Sequence, residues 1–200
     1  MKVGILFSGG KDSTMALNWV IKQGYIPSCL ITLKSKRDDS YMFHIPNVDL
    51  VKEQSEALGI PLIFEQTSGV KEKELEDLER AIKIAIDKYK IQAVAAGALA
   101  SQYQKERVEK IAAKFNLKAF APYWHADMES YLKEIIRDGF EVILTGIAAH
   151  GLNESWLGRK IDDKFIEDIK KLHDKYKVHI GGEGGEYETI VLDLPTNLRE

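Results

Sequence analysis

Two hundred residues, 44% apolar and 30% charged, suffice for one core-burying domain or a main domain with a small appendage. A formal net charge of −3, without a long block of Lys or Arg, argues against a nucleic-acid binder that relies on a broad basic face and leaves a local patch open. The single cysteine, Cys29, excludes an intramolecular disulfide and a Cys-rich zinc cluster, so a reducing, cytoplasmic setting is expected, and no apolar run approaches the roughly 20 residues that span a bilayer.

Along the chain, short apolar runs alternate with helical periodicity. Lys2–Phe7, Ile26–Leu33, Leu62–Glu65 and Ala93–Ala96 read as strands. Asp12–Gln23, Val48–Leu58, Lys71–Lys88 and Ala100–Phe115 read as the helices between them. In the third helix Leu75, Leu78, Ile82, Ala85, Ile86 and Tyr89 fall on one face. Gly24 and Gly59 stand where helices end, with Pro61 as a stop. Strands separated by helices imply right-handed crossovers and a parallel sheet. Pro122 with Tyr123-Trp124 marks a boundary, dividing an α/β domain over 1–122 from a smaller α+β domain over 123–200. The latter reads as a helix Met128–Asp138, a strand Glu141–Ile147, a helix Asp163–Tyr176 and a strand Tyr187–Leu192.

The strongest local signal is the first strand followed by Ser8-Gly9-Gly10-Lys11-Asp12-Ser13 and a helix. Paired glycines let backbone approach a ligand, and a helix start offers open N–H groups and a dipole that favours an anion. Lys11 adds charge, and Ser8 and Ser13 add hydroxyls. The competing reading is an ordinary strand-to-helix turn capped by Asp12 or Ser13. A Walker loop is excluded because Lys11 is followed by Asp12, and no three glycines take the G-x-G-x-x-G spacing.

The loop resembles the SGGxDS loop of the ATP pyrophosphatase superfamily, which implies a parallel-sheet, Rossmann-like HUP-type nucleotide-binding domain and AMP-forming chemistry. Over nearly its whole length the chain is similar to the diphthine–ammonia ligase family. The likeness rests on Ser40-Tyr41-Met42-Phe43-His44, Pro46-Asn47, Gly97-Ala98-Leu99, Ser101, Tyr103-Gln104 and Arg107-Val108-Glu109. It continues through Pro122, Trp124, Asp127, Leu157-Gly158-Arg159, Asp162 and, most distinctively, Gly182-Glu183-Gly184-Gly185-Glu186-Tyr187-Glu188-Thr189.

That resemblance implies ATP-dependent amidation, with ammonium, of diphthine on elongation factor 2. An acyl-adenylate would form and pyrophosphate and AMP would be released. ATP is then expected against Ser8, Gly9, Gly10, Lys11, Asp12, Ser13, Thr32, His44, Gly97 and Ser101, with Asp12 as ligand to Mg²⁺ or as a helix cap. Gly97 reads either as a close approach to nucleotide or as a plain strand-ending turn. Glu183, Glu186 and Glu188 are expected at the acceptor site, with Lys11 as the catalytic cation; a solvated hairpin turn is the alternative. Trp124, Trp156 and Tyr187 would offer ring faces to the trimethylammonium group of diphthine. Tyr103, Gln104, Arg107 and Arg159 complete the expected substrate contacts, although either arginine also reads as a surface charge. Lys105, Glu106, Glu109 and Lys110 read as i,i+4 surface pairing. Cys29, inside an apolar strand, reads as an inert thiol, so free ammonium rather than a glutaminase is the nitrogen source. A homodimer is open; no membrane or nucleic-acid partner is expected.

Two rival functions remain at this level. One is a tRNA-modifying enzyme of the same superfamily, where thiolation is disfavoured by the single cysteine and lysidine-type chemistry is not. The other is a non-catalytic nucleotide-binding module akin to universal stress proteins.

Overall fold

The computed structural model describes residues 1–35, 50–67, 71–97 and 102–195. Five parallel strands form the main sheet: β1 (Lys2–Leu6), β2 (Ile26–Ser35), β3 (Leu62–Thr67), β4 (Ala93–Ala95) and β5 (Lys118–Phe120), in the order β3-β2-β1-β4-β5. The helices between them are α1 (Lys11–Lys22), α2 (Leu50–Leu58), α3 (Lys71–Tyr89) and α4 (Gln102–Lys114). The parallel α/β reading of the first half therefore holds, with each expected element in place. β5 is the addition: three residues gave no periodicity to read.

Strand alternation sorts the apolar side chains onto two faces. Val3, Ile5, Leu30, Ala93 and Ala95 pack with Leu17 and Val20 of α1 and Val51 of α2. Cys29, Ile31, Leu33 and Val94 pack on the other face with Leu78, Ala81, Ile82 and Ala85 of α3 and Val108 and Ile111 of α4. The apolar stripe of the third helix is thus the buried one. Burial of Cys29 pushes its thiol up to about 12, as suits an inert side chain.

The described residues that follow build α5 (Met128–Arg137), β6 (Glu141–Ile147), α6 (Asp163–Tyr176) and β7 (Tyr187–Asp193), with a 3-10 turn at Glu154–Trp156. β6 and β7 pair antiparallel as a two-stranded sheet. Asp127 and Asp162 cap the two helices, accepting from Ser130 N–H at 2.9 Å and Phe165 N–H at 2.7 Å. Helix α1 is shared. Met15 belongs to the core made by Tyr131, Leu132, Ile135, Phe165, Ile169 and their neighbours, while Leu17 and Val20 face the main sheet. Polar bonds reinforce this contact: Asn18 Nδ2 donates to Asp138 at 3.0 Å, and Lys22 pairs with Asp138 and Glu134. Among the described residues, no helix is long and apolar enough to cross a membrane.

Candidate active site

The strand order reverses its winding at β1 and β4, and the crevice beyond the carboxyl ends of those strands is where open α/β sheets take ligands. Both chain segments leaving that point converge. After β1 the chain turns through Ser8, Gly9 and Gly10 into α1, and after β4 it reaches Gly97. A methyl group at Gly97 would stand 2.4 Å from the Asp12 carbonyl carbon and oxygen and 2.7 Å from Ser13 N. The absent side chain at Gly97 therefore serves contact between β4 and the first turn of α1.

Gly10 is the N-cap of α1 and supplies no side-chain cap. The first helical bond runs from Thr14 N–H to the Gly10 carbonyl at 3.1 Å. The N–H groups of Lys11, Asp12 and Ser13 precede it, the positions a helix leaves open. Asp12 does not cap the helix, contrary to one expectation. Ser13 Oγ instead accepts from Ser8 N–H at 3.1 Å, lies 3.1 Å from Ser8 Oγ, and donates to Gly10 O at 3.1 Å. These bonds curl the loop on itself at the end of β1.

Lys11 is only 3% exposed, so its ammonium needs a partner. Asp12 provides one, with Nζ 2.9 Å from each carboxylate oxygen. The Tyr131 hydroxyl donates to Asp12 Oδ1 at 2.8 Å, and the Tyr187 ring centroid lies 5.4 Å from Lys11 Nζ. Burial first, and then the Asp12 carboxylate, hold both the Tyr131 and Tyr187 phenols well above their ordinary range, so each stays protonated. The result is a buried cation, a partly exposed carboxylate and the first amides of a helix at one strand end. Such an arrangement binds and neutralises a polyphosphate.

Of the remaining expected ATP contacts, His44 and Ser101 lie outside the described residues. Thr32 does not line a ligand surface: it is 1% exposed, and its hydroxyl donates to the Phe7 carbonyl at 2.6 Å. That bond ties the loop's approach to β2, so the residue acts on the loop from behind.

The acceptor-side expectations divide. The Glu186 carboxylate accepts from His179 N–H at 3.2 Å and Gly184 N–H at 2.8 Å, and so holds its own loop in shape. Glu183 and Glu188 are both half-buried. Trp124, Trp156 and Tyr187 do not form one cage. Trp156 and Tyr187 are buried, each edge-on to Phe165 at 5.6 Å, with the Tyr187 hydroxyl donating to Ile180 O at 2.6 Å. Trp124 stands apart beside His125 and under Lys105.

Neither arginine is aimed as a clamp. The Arg159 guanidinium pairs with Asp168 at 2.7 Å and lies 4.4 Å from the Trp156 ring centroid. Arg107 folds onto Tyr103 of its own helix, donating to the Tyr103 carbonyl at 3.2 Å. Tyr103 and Gln104 are half-buried in the first turn of α4, and Lys105 pairs with Glu109 at 2.6 Å on its surface as the spacing predicts.

Sequence reading missed Gln54, Tyr131 and Thr189. Thr189 Oγ1 accepts from Lys11 N–H at 3.1 Å, and Gln54 Nε2 donates to Gly9 O at 3.1 Å and Val191 O at 2.9 Å. Each reaches the loop from far along the chain. Only Thr189 carried a signal, as the end of the Gly-rich segment.

Residues 1–119 match the family model of the diphthamide synthase N-terminal domain, and residues 127–198 match that of the diphthamide synthase C-terminal domain. Curated relatives named diphthine–ammonia ligase include those of Danio rerio (34% identical, 98% of this chain and 83% of that protein), Rattus norvegicus (33%, 98% and 80%) and Homo sapiens (31%, 98% and 80%). A solved structure from Methanocaldococcus jannaschii, described as a predicted subunit of tRNA methyltransferase, shares the fold. It superposes with a TM-score of 0.51 at 17% identity over 98% of this chain and 99% of that one. With both family models matched, over residues 1–119 and 127–198, and relatives more than 30% identical along nearly all of its length, the chain belongs to the diphthamide synthase family.

Proposed function

We propose that this protein, an ATP-dependent amide ligase by family, converts the carboxylate of diphthine on elongation factor 2 to the amide of diphthamide with ammonium. The observation that carries the ATP half is the loop Ser8–Ser13, seated at the β1/β4 switch point with its helix amides and the Lys11–Asp12 pair. The acceptor half rests on kinship with ligases of that name.

The first step forms a bond between a carboxylate oxygen and the α-phosphorus as the bond to pyrophosphate breaks. Charge grows on phosphate oxygens, where the first amides of α1 and the Lys11 ammonium, once released from Asp12, would meet it. Asp12 fits a Mg²⁺ site of the usual kind, in which one or two carboxylates share the ion with substrate phosphates: its carboxylate is 32% exposed beside the loop. When bound there, the ion neutralises phosphate charge. Tyr131 fixes Oδ1 of that carboxylate by its donated bond.

In the second step ammonia attacks the acyl carbon, the C–N bond forms, and AMP leaves with the shared oxygen. Ammonium must first lose a proton. For this proton the scheme keeps Glu186 and Glu188, the carboxylates on either side of Tyr187. In this scheme residues 1–122 hold ATP, residues 123–200 present the acceptor, and α1 is the wall between them.

The test incubates the protein with ATP, Mg²⁺, ammonium and elongation factor 2 carrying diphthine. Mass spectrometry should show the acid converted to amide, with AMP and pyrophosphate formed in step. Formation of ADP instead overturns the mechanism, and AMP formation dependent on tRNA rather than on elongation factor 2 overturns the acceptor.

A further inference from the structure

Helix α1 starts without a cap of its own, and the reason is steric. A Cβ at Gly10 would lie 3.0 Å from the Thr189 carbonyl oxygen and 3.4 Å from its hydroxyl. The backbone of β7 comes so near that a side chain here would press on it by a few tenths of an ångström, and glycine has no side chain to cap with. The missing acceptor comes instead from β7, through Thr189 Oγ1 on Lys11 N–H at 3.1 Å. Two residues on, Val191 N–H donates to the Gly9 carbonyl at 3.0 Å. Gln54 of α2 closes the arrangement, its Nε2 bridging Gly9 O and Val191 O. Gly9 itself has φ +78°, and a Cβ there would stand 2.2 Å from Gln54 Oε1. Both glycines of the phosphate loop are therefore set by residues outside it.

We propose that Thr189 caps α1 from a distant strand and, together with Gln54, is a positioning residue that holds the phosphate loop in its ATP-receiving shape. This rests on the reading that ATP binds at the Ser8–Ser13 loop. It also links the two substrate sites, because the strand that caps the loop continues directly from the Gly182–Glu186 turn. Binding of ATP at the loop then steadies that turn, and an acceptor that orders the turn strengthens ATP binding by the same factor.

Thr189→Val removes the hydroxyl and keeps the shape, while Thr189→Ser keeps the hydroxyl. In T189V the Lys11 N–H loses its acceptor. ATP affinity by calorimetry and KM for ATP should each weaken about tenfold, with kcat moving less than about threefold. Hydrogen exchange at the Lys11 amide, measured without ATP, should speed up by a similar factor. T189S should stay within about twofold of the parent protein in every readout. Equal ATP affinity in T189V and the parent, or a T189S as weak as T189V, overturns the proposal. If T189V does not fold, Gln54→Met, which removes the bridging Nε2 donor, carries the same test through Kd for ATP and exchange at Val191. Should the parent protein bind no ATP while Lys11 exchange still responds to T189V, the cap stands and the ATP reading fails.

Discussion

Gly97→Ala tests the site with one carbon atom. Its φ does not lie in the left-handed region, so the substitution brings no backbone strain of that kind, only the added volume. That volume has nowhere to go: the nearest atoms, 2.4 to 2.7 Å from the new Cβ, are backbone of Asp12 and Ser13 in the first turn of a helix buried on two sides. Ordinary contact begins near 3.4 Å, so β4 and α1 must part by roughly 1 Å. Forced overpacking of this kind is worth about 1–3 kcal/mol, which for a 200-residue chain lowers Tm by roughly 2–12 °C. The same displacement acts on the amides proposed to face phosphate, where an error of about 1 Å can weaken function about a hundredfold. Calorimetric titration with ATP and a thermal melt read both effects. Gly59→Ala is the control: its φ of +63° strains a side chain, but no atom lies within 4 Å of the added carbon and it is remote from the loop. It should lose about 1 kcal/mol of stability and bind ATP unchanged. A G97A protein with parental Tm and parental ATP affinity would refute the close approach of β4 to the loop.

Two further outcomes concern pH and reactivity. Asp138 is partly buried, which alone would raise its pKa, but bonds from Lys22 and Asn18 outweigh this and hold it below the usual carboxylate range. A depressed folded pKa gives stability that is present above the unfolded value near 3.9 and is lost as pH falls through the folded one. Asp138→Asn should therefore melt about 2–4 °C lower at pH 7, with the gap closing as pH approaches 3; a constant gap would exclude the linkage. For Cys29 the sign is opposite, since burial raises the thiol to about 12, so its contribution is present below the unfolded value near 8.5 and fades as pH rises through that interval. A disulfide reagent at pH 8 should leave Cys29 untouched until denaturant is added, and prompt labelling of the folded protein would contradict its burial.

Features that declared themselves in the sequence are those whose cause is local. The loop shows as glycines, lysine and serines in a row, and α3 shows as a stripe at helical spacing over an exposed charged face. The caps Asp127 and Asp162, immediately before their helices, are as local in cause and yet went unread. β5 escaped notice because it is only Lys118–Phe120, fixed by pairing with β4 rather than by its own pattern. Side-chain roles were hidden for the same reason. Glu186 carries a charge suited to catalysis, yet its position over two amides of a tight turn makes it a brace. Tryptophan and tyrosine suited to a cation are instead core residues at Trp156 and Tyr187, because Phe165 of a helix lies against both. The chain around Thr189 does not announce Lys11, 178 residues away, nor that around Gln54 announce Gly9, 45 residues away.

That separation has a consequence for the order in which the molecule is made. A ribosome delivers Ser8–Ser13 well before the strand that caps them. Until residue 191 has been made, the Lys11 amide lacks its Thr189 acceptor and the Gly9 carbonyl lacks its Val191 donor. The main sheet can already be assembled by then, since β1 to β5 end at Phe120. A nascent chain would thus carry a folded sheet with an unfinished phosphate loop, and nucleotide competence would arrive as a late event of folding, coincident with docking of β7.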